Sequence, residues 1–441
     1  MEKTIENSAI IKRLLLITSL LFAIGGLFAG NLSEMLPGLI KIITSPSQLT
    51  MDYFWLGGVG ASFMNAAIVG FLCWLLLSVS KGTANSGTVM AYFLTVGFSF
   101  FGMNFVNILP CFLGTFLYSV AKHDSFGKYI NFAMFSTAVA PFVSEMMFRY
   151  PETETRALTV LGLVLGILLG TVAGFIMPAL AAHSPNAHKG YSLYSAALPA
   201  GLIAFTYLAI FFKTRGIDTP VNTNIGDGFN LYANIFCCSL FVICAITGFL
   251  MNGKSFNGYT AIFKSTGYKT DFISANGLPV SLIHIGLYGL FIMAYYNLVG
   301  ASFTGATVGA VFCMLSVSAS GSHGFNVLPI MIGYAIASLF SAWTLNTQAI
   351  VVGLCFATGL APITGRFGII PGILAGILHG CCVTLVPALH GGFCLYNGGL
   401  TCCLLAIITV PLLEAFMTPS EHCCYRLFAP FVKSREASTQ K

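Results

Sequence analysis

The run LTVLGLVLGILLGTVAGFIMPAL, residues 158–180, is 23 residues long and has no charged side chain. As a helix rising 1.5 Å per residue it covers the roughly 30 Å hydrocarbon core of a bilayer. Residues 14–29 and 231–250 read the same way. A membrane β-barrel would alternate apolar and polar residues with period two, and these runs do not. Over all 441 residues, 56% are hydrophobic and 8% charged, and mean hydropathy is +0.86. An average soluble domain carries roughly 25% charged residues, so too few are present here to coat a water-exposed surface. The expected fold is all-α, a polytopic transmembrane helical protein of about twelve to fourteen membrane segments.

The net charge of +6 is a topology signal and argues for no nucleic-acid partner. Lys3, Lys12 and Arg13 precede the first span, and Arg426, Lys433, Arg435 and Lys441 lie in the last residues. The positive-inside bias places both termini in the cytoplasm of a bacterial cell, with the chain in the inner membrane and crossing it an even number of times. The 252–276 loop, with Lys254, Lys264 and Lys269, is expected on the same side. The first apolar run ends in Ala29-Gly30-Asn31, a poor cleavage site, and reads as an uncleaved helix. Fourteen cysteines include the adjacent pairs Cys237-Cys238, Cys381-Cys382 and Cys402-Cys403 inside apolar runs, where Cys serves as a small hydrophobe. His422-Cys423-Cys424 lacks the second ligand pair of a structural zinc site, so neither a metal nor another cofactor is expected.

The chain repeats itself. Gly60-Ala61-Ser62-Phe63 recurs as Gly300-Ala301-Ser302-Phe303, and Asn107-Ile108-Leu109-Pro110 as Asn326-Val327-Leu328-Pro329, with Gly114 and Gly333 following. Phe135 to Pro141 matches Phe356 to Pro362, Gly166 and Gly170 match Gly376 and Gly380, and Pro178-Ala179-Leu180 matches Pro387-Ala388-Leu389. His188-Lys189-Gly190-Tyr191-Ser192-Leu193-Tyr194-Ser195 matches His390-Gly391-Gly392-Phe393-Cys394-Leu395-Tyr396-Asn397. Residues 85–101 have no evident counterpart. The expected organisation is two homologous repeats, 1–213 and 231–417, around a polar linker, 214–230, with a cytoplasmic tail, 418–441. Whether the repeats are parallel or inverted stays open.

Repeats of this size place solute sites near the midplane where the halves meet, on broken or re-entrant helices. The proline-linked amides Asn107 and Asn326, with Asn104, are therefore expected to contact solute, since an amide both donates and accepts. Ser62, Ser302, Tyr396 and Asn397 join them as path residues. Glu145 and Arg366 each lie four residues after the proline of an Ala-Pro element and carry opposite charge, so they are expected to pair within the membrane. His188 and His390 read as interface residues, His379 as a satisfied core histidine, and Asp52 and Glu414 as water-facing ends of spans. Walker, zinc-protease and nucleophile-elbow motifs are absent. No catalytic residue is therefore assigned. The leading expectation is an ATP-independent transporter or channel-like facilitator for a small polar solute. A membrane-embedded enzyme acting on lipid or isoprenoid, and a non-transporting scaffold, are the alternatives. The bilayer is the expected partner, and a homo-oligomer is compatible with the sequence.

The stretch from Gly57 to Asn65, the Asn-(Ile/Val)-Leu-Pro elements and the His-x-Gly-x-x-Leu-Tyr elements resemble a family of bacterial multi-pass membrane proteins catalogued only as a domain of unknown function. The resemblance spans nearly the full length and implies no activity. Leu395-Tyr396-Asn397-Gly398-Gly399-Leu400 is also similar to a short element of urea transporters, which are two-fold repeats with a pore in each protomer. Its counterpart, Leu193 to Leu198, departs at the Asn and both Gly positions. That similarity implies a facilitator.

Overall fold

The computed structural model describes residues 2–152, 154–219, 226, 228 and 230–420, and every regular element among them is helical. The first half comprises α1 (Glu2–Ala29), α2 (Leu32–Ile43), α3 (Tyr53–Gly57), α4 (Val59–Val79), α5 (Ser86–Phe98), α6 (Leu109–Ala121), α7 (Ile130–Ser136), α8 (Ala140–Phe148), α9 (Val160–Ala187) and α10 (Ala197–Phe211). The second comprises α11 (Leu231–Met251), α12 (Tyr259–Ile262), α13 (Phe272–Asn276), α14 (Leu278–Val299), α15 (Gly305–Ser316), α16 (Gly324–Ser338), α17 (Gln348–Ala357), α18 (Ala361–Phe367), α19 (Ile369–Cys382), α20 (Pro387–His390) and α21 (Asn397–Phe416). Eight helical runs are long and apolar enough to cross a membrane, and five shorter apolar helices stand beside them. With the broken run α7–α8, these make fourteen apolar helical runs. Leu161, Ile246 and Leu412 are more than half exposed on these helices, as lipid-facing positions should be. This is a multi-pass membrane protein.

The halves correspond element by element in order, α20 apart. Gly58 and Gly277 (277 − 58 = 219) hold the same left-handed corner, φ 88° and φ 87°, ahead of α4 and α14. Only glycine adopts that backbone without strain. One turn later the hydroxyls of Ser62 and Ser281, also 219 apart, donate to the carbonyls of Gly58 and Gly277 at 2.8 and 2.9 Å. The same spacing joins the capping boxes of α5 (Asn85 with Thr88) and α15 (Thr304 with Thr307). Residues 85–101 thus do have a counterpart, the 304–320 segment, hidden because Asn-x-x-Thr and Thr-x-x-Thr cap alike with different letters. The Gly-Ala-Ser-Phe pairing is corrected. Gly60 lies in the first turn of α4, packed on α1, whereas Gly300 (φ 67°) ends α14.

The repeats are inverted. Ala84 N donates to Ser8 Oγ at 2.9 Å, fixing the start of α1 beside the α4–α5 loop. The far end of α1 meets the start of α11, where Tyr232 OH donates to Gly25 O at 2.5 Å. So α11 begins where α1 ends and runs back the other way. At the core, α5 and α15 pack on each other with the end of one beside the start of the other. A Cβ on Gly97 would lie 2.6 Å from Gly309 O, and one on Gly309 would lie 2.2 Å from Gly97 O. Glycine at both positions is what lets the backbones touch. An antiparallel contact between equivalent helices puts the pseudo-two-fold axis across the helices, in the membrane plane. Seven such runs carry the first half to the opposite face, and seven more bring the chain back to the starting face, hereafter the near face. There the end of α21 is tied to the α9–α10 turn by Glu414–Lys189 at 2.5 Å.

Both Ala-Pro elements break their pass as anticipated. Thr137–Val139 and Thr358–Leu360 are single 3-10 turns, and Pro141 and Pro362 each open the short helix that follows. Proline is tolerated there because the first-turn N–H groups have no intrahelical partner.

Candidate functional site

Two sets of ties cross between the halves, and both use residues the repeat preserves. In the first set, Ser192 N donates to His188 Nδ1 at 3.2 Å and Cys394 N donates to His390 Nδ1 at 3.2 Å. Each ring's Nε2 bonds a side chain seven residues along its own chain, Ser195 Oγ at 2.9 Å and Asn397 Oδ1 at 3.0 Å. Both histidines are buried, and burial lowers each pKa to about 4. A neutral ring with its proton on Nε2 fits all four contacts. The turns so locked present Leu193 N to Gly359 O at 2.9 Å and Leu395 N to Ala138 O at 3.0 Å. Each half therefore pins the 3-10 break of the other. The His-x-Gly-x-x-Leu-Tyr element is a cross-brace.

In the second set, the Asp52 carboxylate caps α3 through Phe54 N at 2.9 Å and also accepts from Gly305 N, the first residue of α15, at 2.8 Å and from Gly226 N at 3.0 Å. Asp271, 219 residues on, caps α13 through Ser274 N at 3.0 Å and accepts from the Ser86 hydroxyl, at the first residue of α5. A carboxylate at a helix N-terminus satisfies free N–H groups and opposes the helix dipole. Asp52 was expected to face water. It is 1% exposed, because both oxygens are used inside the protein. Burial raises its pKa against the opposing pull of the Gly305 and Gly226 amides. Glu414 does sit at the surface, paired with Lys189.

The expected path residues are mostly bound up in structure. Asn107 Oδ1 accepts from Asn104 N at 2.9 Å, and its Nδ2 donates to Gly102 O at 3.0 Å and Ser144 Oγ at 2.9 Å. Asn326 Oδ1 accepts from His323 N at 2.9 Å, and its Nδ2 donates to Gly321 O at 2.9 Å. Asn104 accepts from Val106 N and Asn107 N and donates to Ile42 O at 3.3 Å. These amides rebuild the hydrogen bonds lost at the turns before α6 and α16. The polarity that suggested solute contact is thus engaged in bonds within the protein. Ser62 is fully buried on Gly58 O, Ser302 O accepts from Thr307 Oγ1, and Asn397 Nδ2 donates to Val383 O. None of these lines the cavities described below. Tyr396 does.

Glu145 and Arg366 do not pair. Glu145 is bound by Arg149, one turn along α8, with Nε–Oε1 2.9 Å and Nη2–Oε2 2.7 Å, and both residues are buried. The Arg366 guanidinium lies 4.7 Å from the centroid of the Tyr268 ring. Inversion explains the separation: Glu145 belongs to the far-face end of its pass and Arg366 to the near-face end of the equivalent one. His379 is satisfied as expected, between Tyr334 OH at 2.6 Å and Gly398 O at 2.9 Å. His422, Cys423 and Cys424 lie outside the described residues.

Two cavities flank α5. One is a groove of about 180 Å³ between α1, α11 and α14, with Val89 and Phe93 as its wall. The other, about 100 Å³, lies between the halves. It is lined by Met90 and Leu94 of α5, Phe135, residues 193–197 and Tyr396. Both are places where the pseudo-symmetry fails. Gly26 on α1 meets Gly60 O and Met64 N as Gly248 on α11 meets Pro279 O and Ile283 N, which makes Gly26 and Gly248 equivalent. On that register Gly25 and Phe236 correspond to Thr247 and Leu14. At the far face Gly25 is packed against the Phe236 ring, with a hypothetical Cβ 2.5 Å from Cε2. Near the other face Leu14 and Thr247 both line the groove. The two ends also differ in sequence, since the glycine that admits the Phe236 ring at the closed end is replaced by Thr247 at the open one.

A family model described as "Protein of unknown function (DUF1576)" matches residues 31–213 and 251–415. No curated protein and no solved structure matches the chain, so the similarity to urea transporters gains nothing from these comparisons. Two matched segments that together take in most of the chain mean that this protein belongs to the DUF1576 family.

Proposed function

We propose that the protein is an ATP-independent transporter of a small solute, working by exchange of the two inverted halves between mirror-related states. The observation that carries this reading is the broken symmetry of α1 and α11. The helices are closed where Gly25 meets Phe236 and parted where Leu14 and Thr247 stand, and swapping those contacts gives a second state of the same molecule. The α5 helix, walled by a groove on one side and a cavity on the other, is the moving partition. An enzyme acting on lipid is less favoured, because His188, His379 and His390 are held in structural hydrogen bonds. Among the described residues no three His, Cys, Asp or Glu side chains gather as a metal site would need.

The near face is the cytoplasmic one in this reading. Lys81, Lys122, Lys128, Lys189, Lys254, Lys264 and Lys269 line its loops, whereas the far face carries Lys41, Arg156, Lys213 and Arg215. The membrane is then a bacterial inner membrane with both termini inside.

Cysteine pairs test the exchange. Gly25→Cys with Phe236→Cys should crosslink in the state described, and Leu14→Cys with Thr247→Cys in the swapped one. Both pairs should form disulfides in membranes under oxidation, and each should stop osmotic swelling of proteoliposomes in acetamide or glycerol, with reduction restoring it. A Leu14/Thr247 pair that never crosslinks, or flux undiminished with either pair locked, would end the proposal.

A further inference from the structure

Among the described residues, one side-chain group lining the cavity between the halves is unsatisfied. Tyr194 and Tyr396 are equivalent residues at the ends of the two cross-braces, and both are buried. Tyr194 OH donates to Cys313 O on α15 at 2.9 Å. On the 219-residue register the matching acceptor for Tyr396 is Leu94 O on α5. That bond is not made: Tyr396 OH has no hydrogen-bond partner, and Tyr396 and Leu94 line the same cavity. On the other side of the axis the space is filled, with Phe98 stacked on Phe356 at 5.9 Å between ring centroids.

An unpaired buried hydroxyl is costly, so a site that leaves one beside a void favours a guest that accepts a hydrogen bond. The volume is several times what one water needs. The chemistry of the walls limits the guest. Met90, Leu94, Phe135 and Leu193 are apolar, the Ser195 hydroxyl is engaged by His188, and no Asp, Glu, Lys or Arg lines the space. A charge placed there would lose its hydration without a counter-ion. We infer that this cavity binds an uncharged molecule of a few heavy atoms, held by a hydrogen bond from the Tyr396 hydroxyl. The inference rests on the transport reading for its role as the solute site, but the binding itself is testable without flux.

The full-length protein in lipid nanodiscs would be heated in rising concentrations of acetamide, ethylene glycol or glycerol. Ligand bound only by the folded state raises the unfolding midpoint with a saturable dependence, unlike a general solvent effect. At least one probe should do so for the wild type and for Tyr207→Phe, a buried tyrosine outside this cavity whose hydroxyl is committed to Leu169 O. The saturable shift should vanish in Tyr396→Phe, which keeps the ring, and in Leu94→Phe, which fills the space. Water as the sole occupant predicts no saturable shift with any probe and overturns the inference, as does a shift that survives Tyr396→Phe. Binding that holds while the crosslinked pairs leave flux unchanged would remove the transport reading and keep the site. Gated flux indifferent to Tyr396→Phe would do the reverse.

Discussion

At one equivalent point the first half carries Glu145 and the second Arg366, and the two charges are treated differently. Glu145 is fully buried and bound by Arg149 through two short contacts, so the ion pair is contained within one turn of α8. Arg366 has no acidic partner among the described ion pairs and lies half-buried on the face of Tyr268. Duplication kept the backbone, with the 3-10 turn and the proline, and let the side chains diverge. An inverted repeat sends the same backbone position to opposite faces, where different neighbours await it.

The largest effect should come from breaking the contained pair. Glu145→Gln leaves the Arg149 guanidinium buried without its counter-charge, which costs on the order of 3–5 kcal/mol. Arg366→Gln removes a cation–π contact worth about 0.5–1 kcal/mol at a partly exposed site. Unfolding midpoints in one detergent should therefore separate the variants widely, and the double variant should show the sum. Equal losses, or marked non-additivity, would mean that the two positions communicate after all.

The aspartate latches offer a milder comparison. Asp52→Ala strips acceptors from three backbone amides at a buried carboxylate, a loss of about 3 kcal/mol if two are left unpaired. Asp271 is partly exposed, and water replaces it at the α13 cap, so Asp271→Ala should cost about 1 kcal/mol. Proteolysis at the 300–304 segment should rise in the first variant, because Gly305 is no longer anchored. If the two substitutions are equally harmful, the burial difference between the faces is not what sets their worth.

Much of the fold was legible in the sequence, for physical reasons. Uninterrupted apolar runs identify helices in lipid, and the Asn-(Ile/Val)-Leu-Pro and Ala-Pro elements mark real turns and breaks. The α5–α15 equivalence was not legible, because caps of equal geometry tolerate Asn or Thr. The match of Gly60 with Gly300 misled, because four small and apolar letters recur easily in such a composition. The site was less legible. Polarity near a broken helix was read as solute contact, yet Asn107 and Asn326 close the hydrogen bonds that the break opens. Tyr396 was singled out only through its neighbours, since what distinguishes it from Tyr194 is a missing acceptor.

The smallest effect near neutral pH, and the one most evenly shared between the halves, should be acid lability of the cross-braces. His188 and His390 each accept a backbone N–H at Nδ1, from Ser192 and Cys394. Protonating Nδ1 would set two donors against each other, and burial already holds both pKa values down to about 4 from 6.5. Between those values the unfolded chain binds more protons than the folded one, so stability rises with pH across this window and is lost as pH falls from 6.5 towards 4. Asp52 works the other way: its raised pKa favours the folded form as pH falls, and it offsets part of the loss just above 3.8. The unfolding midpoint of the wild type should therefore decline on acidification through this window. The decline should be roughly halved in His188→Gln and again halved in His390→Gln, since the two rings make the same contacts. His390 is walled in by Asn397 Oδ1, whereas His188 meets a rotatable Ser195 hydroxyl that can turn to accept or donate. If one brace proves more acid-sensitive, it should be the one through His188, because the Asn397 Oδ1 acceptor also steadies a protonated His390 ring and a rotating hydroxyl does so less. A profile flat from pH 7 to 4 in the wild type would mean that neither turn depends on a neutral ring.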